Sequence, residues 1–218
     1  MRYGFLPFAL MLVPGTLAAQ TLGIPPGCQA FLTVQHASCR VAHHITCAND
    51  APGVRHRVDV YPDGLDHIST ADGDGQWLGS FDAYSGTSDQ PQGVPVNSAS
   101  FDALLRGSDS YDFQMISSTG EVIRYFGTDT LTGETVDIDG EPLLVLSVDM
   151  RAVGADGVEQ WALTGTGYAH AAWRMGFSGT HNWVVPGDAY TTEDSPVTFS
   201  EPGEPGFLST VAAYGCAS

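Results

Sequence analysis

Turn-forming dipeptides recur through the middle of the chain at short intervals: Asp63-Gly64, Asp72-Gly73, Asp74-Gly75, Thr119-Gly120, Thr132-Gly133, Asp139-Gly140 and Asp156-Gly157. An Asp-Gly pair suits a two-residue hairpin turn because glycine, lacking a Cβ, accepts positive φ without a clash. Between the turns, apolar and polar residues alternate, as in Arg57-Val58-Asp59-Val60-Tyr61, Tyr111 to Ile116, Glu121 to Phe126 and Thr135 to Asp139. Leu143 to Met150, Gln160 to Tyr168 and Ala171 to Ser178 continue the strand-like runs. A period of two sends alternate side chains to opposite faces of a strand. Strands joined by tight turns in sequence predict an all-β, mainly antiparallel domain, built as an incomplete barrel or a curved meander sheet.

Helix signals are few, enough for one or two short helices. Asn97 or Ser98 is a candidate N-cap for a helix running to Arg106, with Phe101, Leu104 and Leu105 on its buried face and Gly107 as its stop. A second short helix is expected near Cys28 to Gln35. Residues 86–95 and 201–206, rich in Gly, Pro and polar residues, read as loops. No linker divides the chain, so residues 20–218 are expected to form a single antiparallel-β domain.

Residues 1–19 read as a signal peptide. Met1-Arg2-Tyr3 gives a positive head, Phe5 to Val13 an apolar run, and Leu17-Ala18-Ala19 a small-residue cleavage site. The apolar run is shorter than the roughly 20 residues that a membrane-spanning helix needs, and no later stretch is long enough. The chain is therefore expected to be periplasmic or secreted, with its four cysteines in two disulfides. Cys39–Cys47 and Cys28–Cys216 are the favoured pairs, the second tying the end of the chain to its start. The first requires a turn between its members, since eight residues of straight strand would separate them by about 27 Å. Without that turn, Cys28 pairs with Cys39 or Cys47.

Twenty-five acidic residues face eight basic ones, all arginine, for a net charge of −17. Such a surface repels phosphate backbones and anionic headgroups, so no nucleic-acid partner is expected. Lysine-dependent chemistry is excluded, and the sequence has no Gly-x-Ser-x-Gly elbow: Gly176-Phe177-Ser178-Gly179 misses the spacing by one. His43-His44 cannot chelate one ion from a strand, because neighbours face opposite ways. Asp72-Gly73-Asp74-Gly75 fails as a calcium loop, since alignment on Gly75 puts Thr70 and Phe81 where Asp and Glu belong. No Cys-x-x-Cys knuckle or phosphate-binding glycine loop is present. No metal, cofactor or catalytic residue is assigned from sequence.

Aromatic residues concentrate in the strands: Trp77, Phe81, Phe113, Tyr125, Phe126, Trp161, Trp173, Phe177 and Trp183. A curved sheet lined by such residues can either pack solid or hold an apolar ligand. The candidate ligand-binding set is Trp77, Phe81, Phe101, Leu105, Phe113, Trp161 and Trp173.

The segment Pro52-Gly53-Val54-Arg55-His56-Arg57, then Tyr61-Pro62-Asp63-Gly64, Ile68-Ser69 and Asp72-Gly73-Asp74-Gly75-Gln76-Trp77, with Phe31 and Gln35 upstream, resembles the early strands of periplasmic lipoprotein carriers of the LolA/LolB type. The resemblance covers about residues 31–82. It implies an incomplete barrel with a helical lid, to which Phe101 to Leu105 would belong, and an apolar cavity for acyl chains. Trp77 is the motif-matched site residue. Ala51 departs from the pattern, which has a basic residue before the Pro-Gly turn, so only the fold and the cavity are carried over. The leading expectation is an exported protein that binds a lipid or other apolar small molecule. The alternatives are an exported polysaccharide hydrolase with an Asp/Glu pair and an interaction module of the cell envelope.

Overall fold

The structure is a computed structural model that describes residues 20–216. The signal-peptide expectation falls on residues 1–19, outside the described residues. The first strands are β1 (Cys28–His36), β2 (Val41–Cys47), β3 (Arg55–Tyr61), β4 (Gly64–Ala71), β5 (Trp77–Asp82) and β6 (Thr87–Pro91). A short helix, α1 (Phe101–Leu105), precedes β7 (Ser108–Ser117), β8 (Val122–Ile138), β9 (Glu141–Gly154) and β10 (Glu159–His170). The chain continues as β11 (Met175–Val185), β12 (Asp188–Glu193) and β13 (Pro196–Ser200). All 13 strands form one antiparallel sheet, a meander from β1 to β12 with β13 added outside β1. The sheet does not close into a barrel.

The expected hairpins are present. Asp139 and Gly140 both take positive φ, 55° and 85°, between β8 and β9, as a type I′ turn requires. Thr132-Gly133 is different. It forms a bulge within β8, where the register against β9 slips between Leu131 and Thr135, so one 17-residue strand replaces two shorter ones. Two further expectations are corrected. Cys28 to Gln35 is strand because β2 and β13 hydrogen-bond it from both sides. Part of the expected 86–95 loop is β6, which fills the space between β5 and β7. The helix is shorter than predicted: Ser100 caps it by accepting from the Ala103 N–H at 3.2 Å, while Asn97 pairs with Asp112 instead.

The two edges of the sheet, β12 and β13, are consecutive in sequence. Only Asp194 and Ser195 connect them. Three Cα steps span at most about 11 Å, so the sheet must curl until its edges approach at that end. A buried ionic cluster fixes this seam. Arg40 in the β1–β2 turn donates from Nη1 to Asp59 at 2.7 Å and from Nη2 to Asp194 at 2.5 Å. Ser38 also donates to Asp194, and the Ala37 N–H donates to the Ser195 carbonyl at 2.9 Å. His36 contacts the Asp194 carbonyl at 2.9 Å; burial and the Arg40 charge pull its pKa down to about 4, so it sits neutral. Beside the seam, Phe199 of β13 packs edge-on against Phe177 of β11 and against Trp173, with ring centres 5.4 and 5.3 Å apart. These rings join Leu32, Val34, Ala42, Leu143 and Met175 in one buried cluster.

The disulfides are Cys28–Cys47 and Cys39–Cys216, which corrects the favoured pairing of Cys39 with Cys47 and Cys28 with Cys216. Cys39 lies in the turn before β2, which then runs straight to Cys47; Cys28 and Cys47 are direct partners across the β1–β2 ladder. The C-terminal segment reaches Cys39 because Gln35 holds it, donating to the Val211 carbonyl and accepting from the Ala213 N–H. Two disulfides fit an oxidising environment. No helix among the described residues is long and apolar enough to cross a membrane.

Removing one partner of a buried ion cluster strands the others. Arg40→Ala is therefore expected to lower unfolding free energy by about 3–5 kcal/mol in urea titrations, the usual cost of breaking a buried pair. A loss below about 1 kcal/mol would mean that the seam does not depend on the cluster.

Candidate ligand cavity

The register of the ladders shows which side chains share a face. Tyr111, Gly127, Met150, Leu163, Trp183 and Tyr190 are successive partners across β7 to β12, so they form one row on one side of the sheet. Beside it runs a second row, Phe113, Tyr125, Ala152 and Trp161. The ring centres of Phe113, Trp77, Tyr125, Trp161 and Trp183 follow one another at 5.7, 5.3, 6.0 and 5.2 Å, mostly edge to face, an arrangement that aromatic quadrupoles favour. Trp77 reaches this line from β5.

The curled sheet borders a half-open cavity of about 390 Å³ between this face and the walls from β2 to β5, with α1 at its side. Its apolar lining includes Phe101, Leu104, Phe113, Leu146, Met150 and Leu163. Glycine keeps part of the face low: a Cβ on Gly127 would come within 2.8 Å of the Tyr111 hydroxyl and 2.4 Å of the Asp149 carbonyl oxygen. Any larger residue would displace the Tyr111 hydroxyl and clash with the β9 backbone.

The polar lining is divided between two walls. On β7 and β8, Asp109 and Asp129 are direct cross-strand partners. Asp109 accepts from the Ser100 N–H at 2.9 Å, tying the helix cap to the wall. Among the described residues, Asp129 meets only the Tyr111 hydroxyl, at 3.5 Å. Burial, then the neighbouring Asp109, raise Asp129 to about 6; burial first, then Asp129, raise the Tyr111 phenol as well. On the facing strands, His44, Arg55, His56 and Arg57 line the cavity. His44 is fully desolvated and held neutral, and its Nε2 has no hydrogen-bond partner. His43 points the other way and contacts Thr33 at 3.1 Å. At the mouth, Arg174 spans three distant elements: it donates at 2.6 Å to both Asp102 of α1 and Asp74 of the β4–β5 turn, and its guanidinium covers Phe101.

Of the sequence-predicted set, Trp77, Phe101 and Phe113 come together in the lining. Trp161 stands on the same face, in the row of Phe113, but outside the lining. Phe81 does not join them: a bulge between Thr70 and Ala71 reverses the register, so Trp77 pairs with Ala71 on the cavity side while Phe81 pairs with Ile68 on the other. Leu105 is exposed on α1. Trp173 stacks on His170 at 3.8 Å and belongs to the packed end near the seam. Asp109 and Asp129 are not in the sequence-predicted set, although each stands ten residues from Thr119 and counting outward from that hairpin turn pairs them. Arg55 and Arg174 carried no comparable signal. A grouping of Cys47, Asp50 and His56 has metal-like spacing, but the Cys47 sulfur is bonded to Cys28 and His56 pairs with Asp50 at 2.7 Å. No family model, curated protein or solved structure matches the chain.

Asp129 gives the cavity a pH signature. Its native pKa lies above its unfolded value, so the native state binds the extra proton, and stability falls as pH rises from about 4 through 6. Asp129→Asn is expected to remove this component, leaving the variant more stable than wild type above pH 6 by about 1–3 kcal/mol and level with it near pH 3. Parallel pH–stability curves for the two proteins would contradict the assignment.

Proposed function

We propose that the chain is exported, to the periplasm or beyond the cell, and that its open half-barrel binds a lipid or another apolar small molecule. One observation carries this reading: the concave face of β7 to β11 is apolar and aromatic, yet it borders about 390 Å³ of cavity instead of packed side chains. Sites of this kind, concave and apolar with a few convergent polar groups, are where small ligands bind. The two disulfides support an oxidising compartment. The resemblance to LolA/LolB-type carriers supports the same reading, since it leads to an open, curled sheet with a short helix beside the cavity.

A second reading, hydrolysis of a polysaccharide, is favoured by the opposed Asp109 and Asp129, one of them raised into the range of a general acid. Inactivity of the wild type on a polysaccharide panel would discard it.

Native mass spectrometry of protein purified from its own host is expected to show a bound apolar species. Added fatty acid or phospholipid should change tryptophan emission with saturation at one ligand per chain, and Trp77→Ala should weaken binding about tenfold, the equivalent of about 1.4 kcal/mol. Ligand-free protein with unchanged emission would refute the proposal.

A further inference from the structure

Among the described residues, Arg55 has no carboxylate partner. Arg40, Arg57, Arg124, Arg151 and Arg174 all form ion pairs, and Arg106 is exposed on the surface. Arg55 is half-buried and lines the cavity. Its row on the sheet continues through Ala71 to Trp77, and its guanidinium lies 5.9 Å from the centre of the Phe31 ring. Nη1 donates to the carbonyls of Trp173 at 2.6 Å and Arg174 at 3.1 Å. Nε and Nη2 reach no acceptor among the described residues, which leaves three of the five N–H donors of the fork unused.

This is an expensive arrangement. Burial, then the nearby charge of Arg174, disfavour the cation and lower the Arg55 pKa. The surrounding chain has acids in excess by 17, so a carboxylate partner would have been easy to supply. The other arginines of the lining are neutralised: Arg57 by Asp59 at 3.0 Å, and Arg174 by Asp74 and Asp102. They offer a ligand little net attraction. Arg55 alone combines a full charge, free planar donors and apolar surroundings, conditions under which a charge-assisted pair is strong.

We infer that the cavity selects an amphiphile with an acidic head, a carboxylate or a phosphate monoester, whose oxygens take the free Nε and Nη2 donors of Arg55 while its alkyl chain lies against Trp77, Phe113 and Leu163. The inference rests on the apolar-ligand reading above and adds the charge of the head. The net negative surface repels anions at long range, so selectivity comes from the fork at short range. The opposed Asp109 and Asp129 stand on the far wall, where they disfavour the reverse orientation of the head.

Calorimetric titration with dodecanoate and dodecyltrimethylammonium below their micelle concentrations, and dodecanol below its solubility limit, tests this on the wild-type protein. Dodecanoate is expected to bind at least tenfold more tightly than dodecanol, and the ammonium more weakly than either. Inorganic phosphate should bind far more weakly than dodecanoate. Arg55→Met should erase the preference for the acid, with a far larger loss for dodecanoate than for dodecanol, and Arg55→Lys should restore part of it. Equal affinity for acid and alcohol, preference for the ammonium, phosphate binding as tight as dodecanoate, or an equal loss for every ligand in Arg55→Met would overturn the inference. If no amphiphile binds the wild type, the apolar-ligand reading itself falls. The wild-type comparison stands even if Arg55→Met does not fold.

Discussion

The two-residue connection between β12 and β13 is the constraint on which this architecture depends. Twist and the bulges along the strands bend a 13-stranded antiparallel meander, but they do not by themselves bring its edges together. Joining its opposite edges through Asp194 and Ser195 forces the curl. The side chains that hold this seam are charged, and they succeed because every charge has a partner: Arg40 lies between Asp59 and Asp194, and Arg57 takes the second oxygen of Asp59. Cys39–Cys216 then anchors the C-terminal segment to the same turn that carries Arg40.

The core is distributed to match. One cluster fills the seam end with Leu32, Val34, Leu143, Met175 and Phe177. A second seats α1 through Phe101 and Leu104 against Leu146 and Ala169. A third covers the outer face of β2 to β4, where Ile45, Val58 and Val60 meet Leu22 and Ile24. Between the first two lies the cavity. Apolar burial at the ends supplies stability, and the middle is left hollow by a curl too wide for its side chains to bridge. Gly127, without a Cβ, leaves room for the Tyr111 ring to lie across β8. Arg174 adds a polar clasp at the mouth, linking α1, the β4–β5 turn and the β10–β11 turn.

Local features of this fold were legible in the sequence. Asp139-Gly140 and Asp156-Gly157 specify their hairpins by backbone chemistry alone, and alternation gives β3, β7 and the two ends of β8. Errors arose where a neighbour outweighed local preference. Thr132-Gly133 resembles a turn but is absorbed as a bulge because β9 pairs with β8 on both sides of it. Residues 87–91 lack strand character and are made strand by β5 and β7. The cysteine pairing depends on whether the chain turns before or after Cys39, which composition does not encode. The candidate site was partly legible for the same reason: aromatic residues in strands are visible, but which face each one takes depends on bulges such as the one that separates Phe81 from Trp77. Arg55 becomes informative only when its surroundings show that no acid reaches it.

The central claim is that the sheet encloses a hollow that accepts an apolar chain. Anomalous diffraction from crystals soaked with a terminally brominated dodecanoic acid tests it most directly. The account predicts bromine density inside the cavity, among Tyr111, Phe113 and Leu163. Bromine found only on the outer faces, with ordered water filling the cavity, would contradict it.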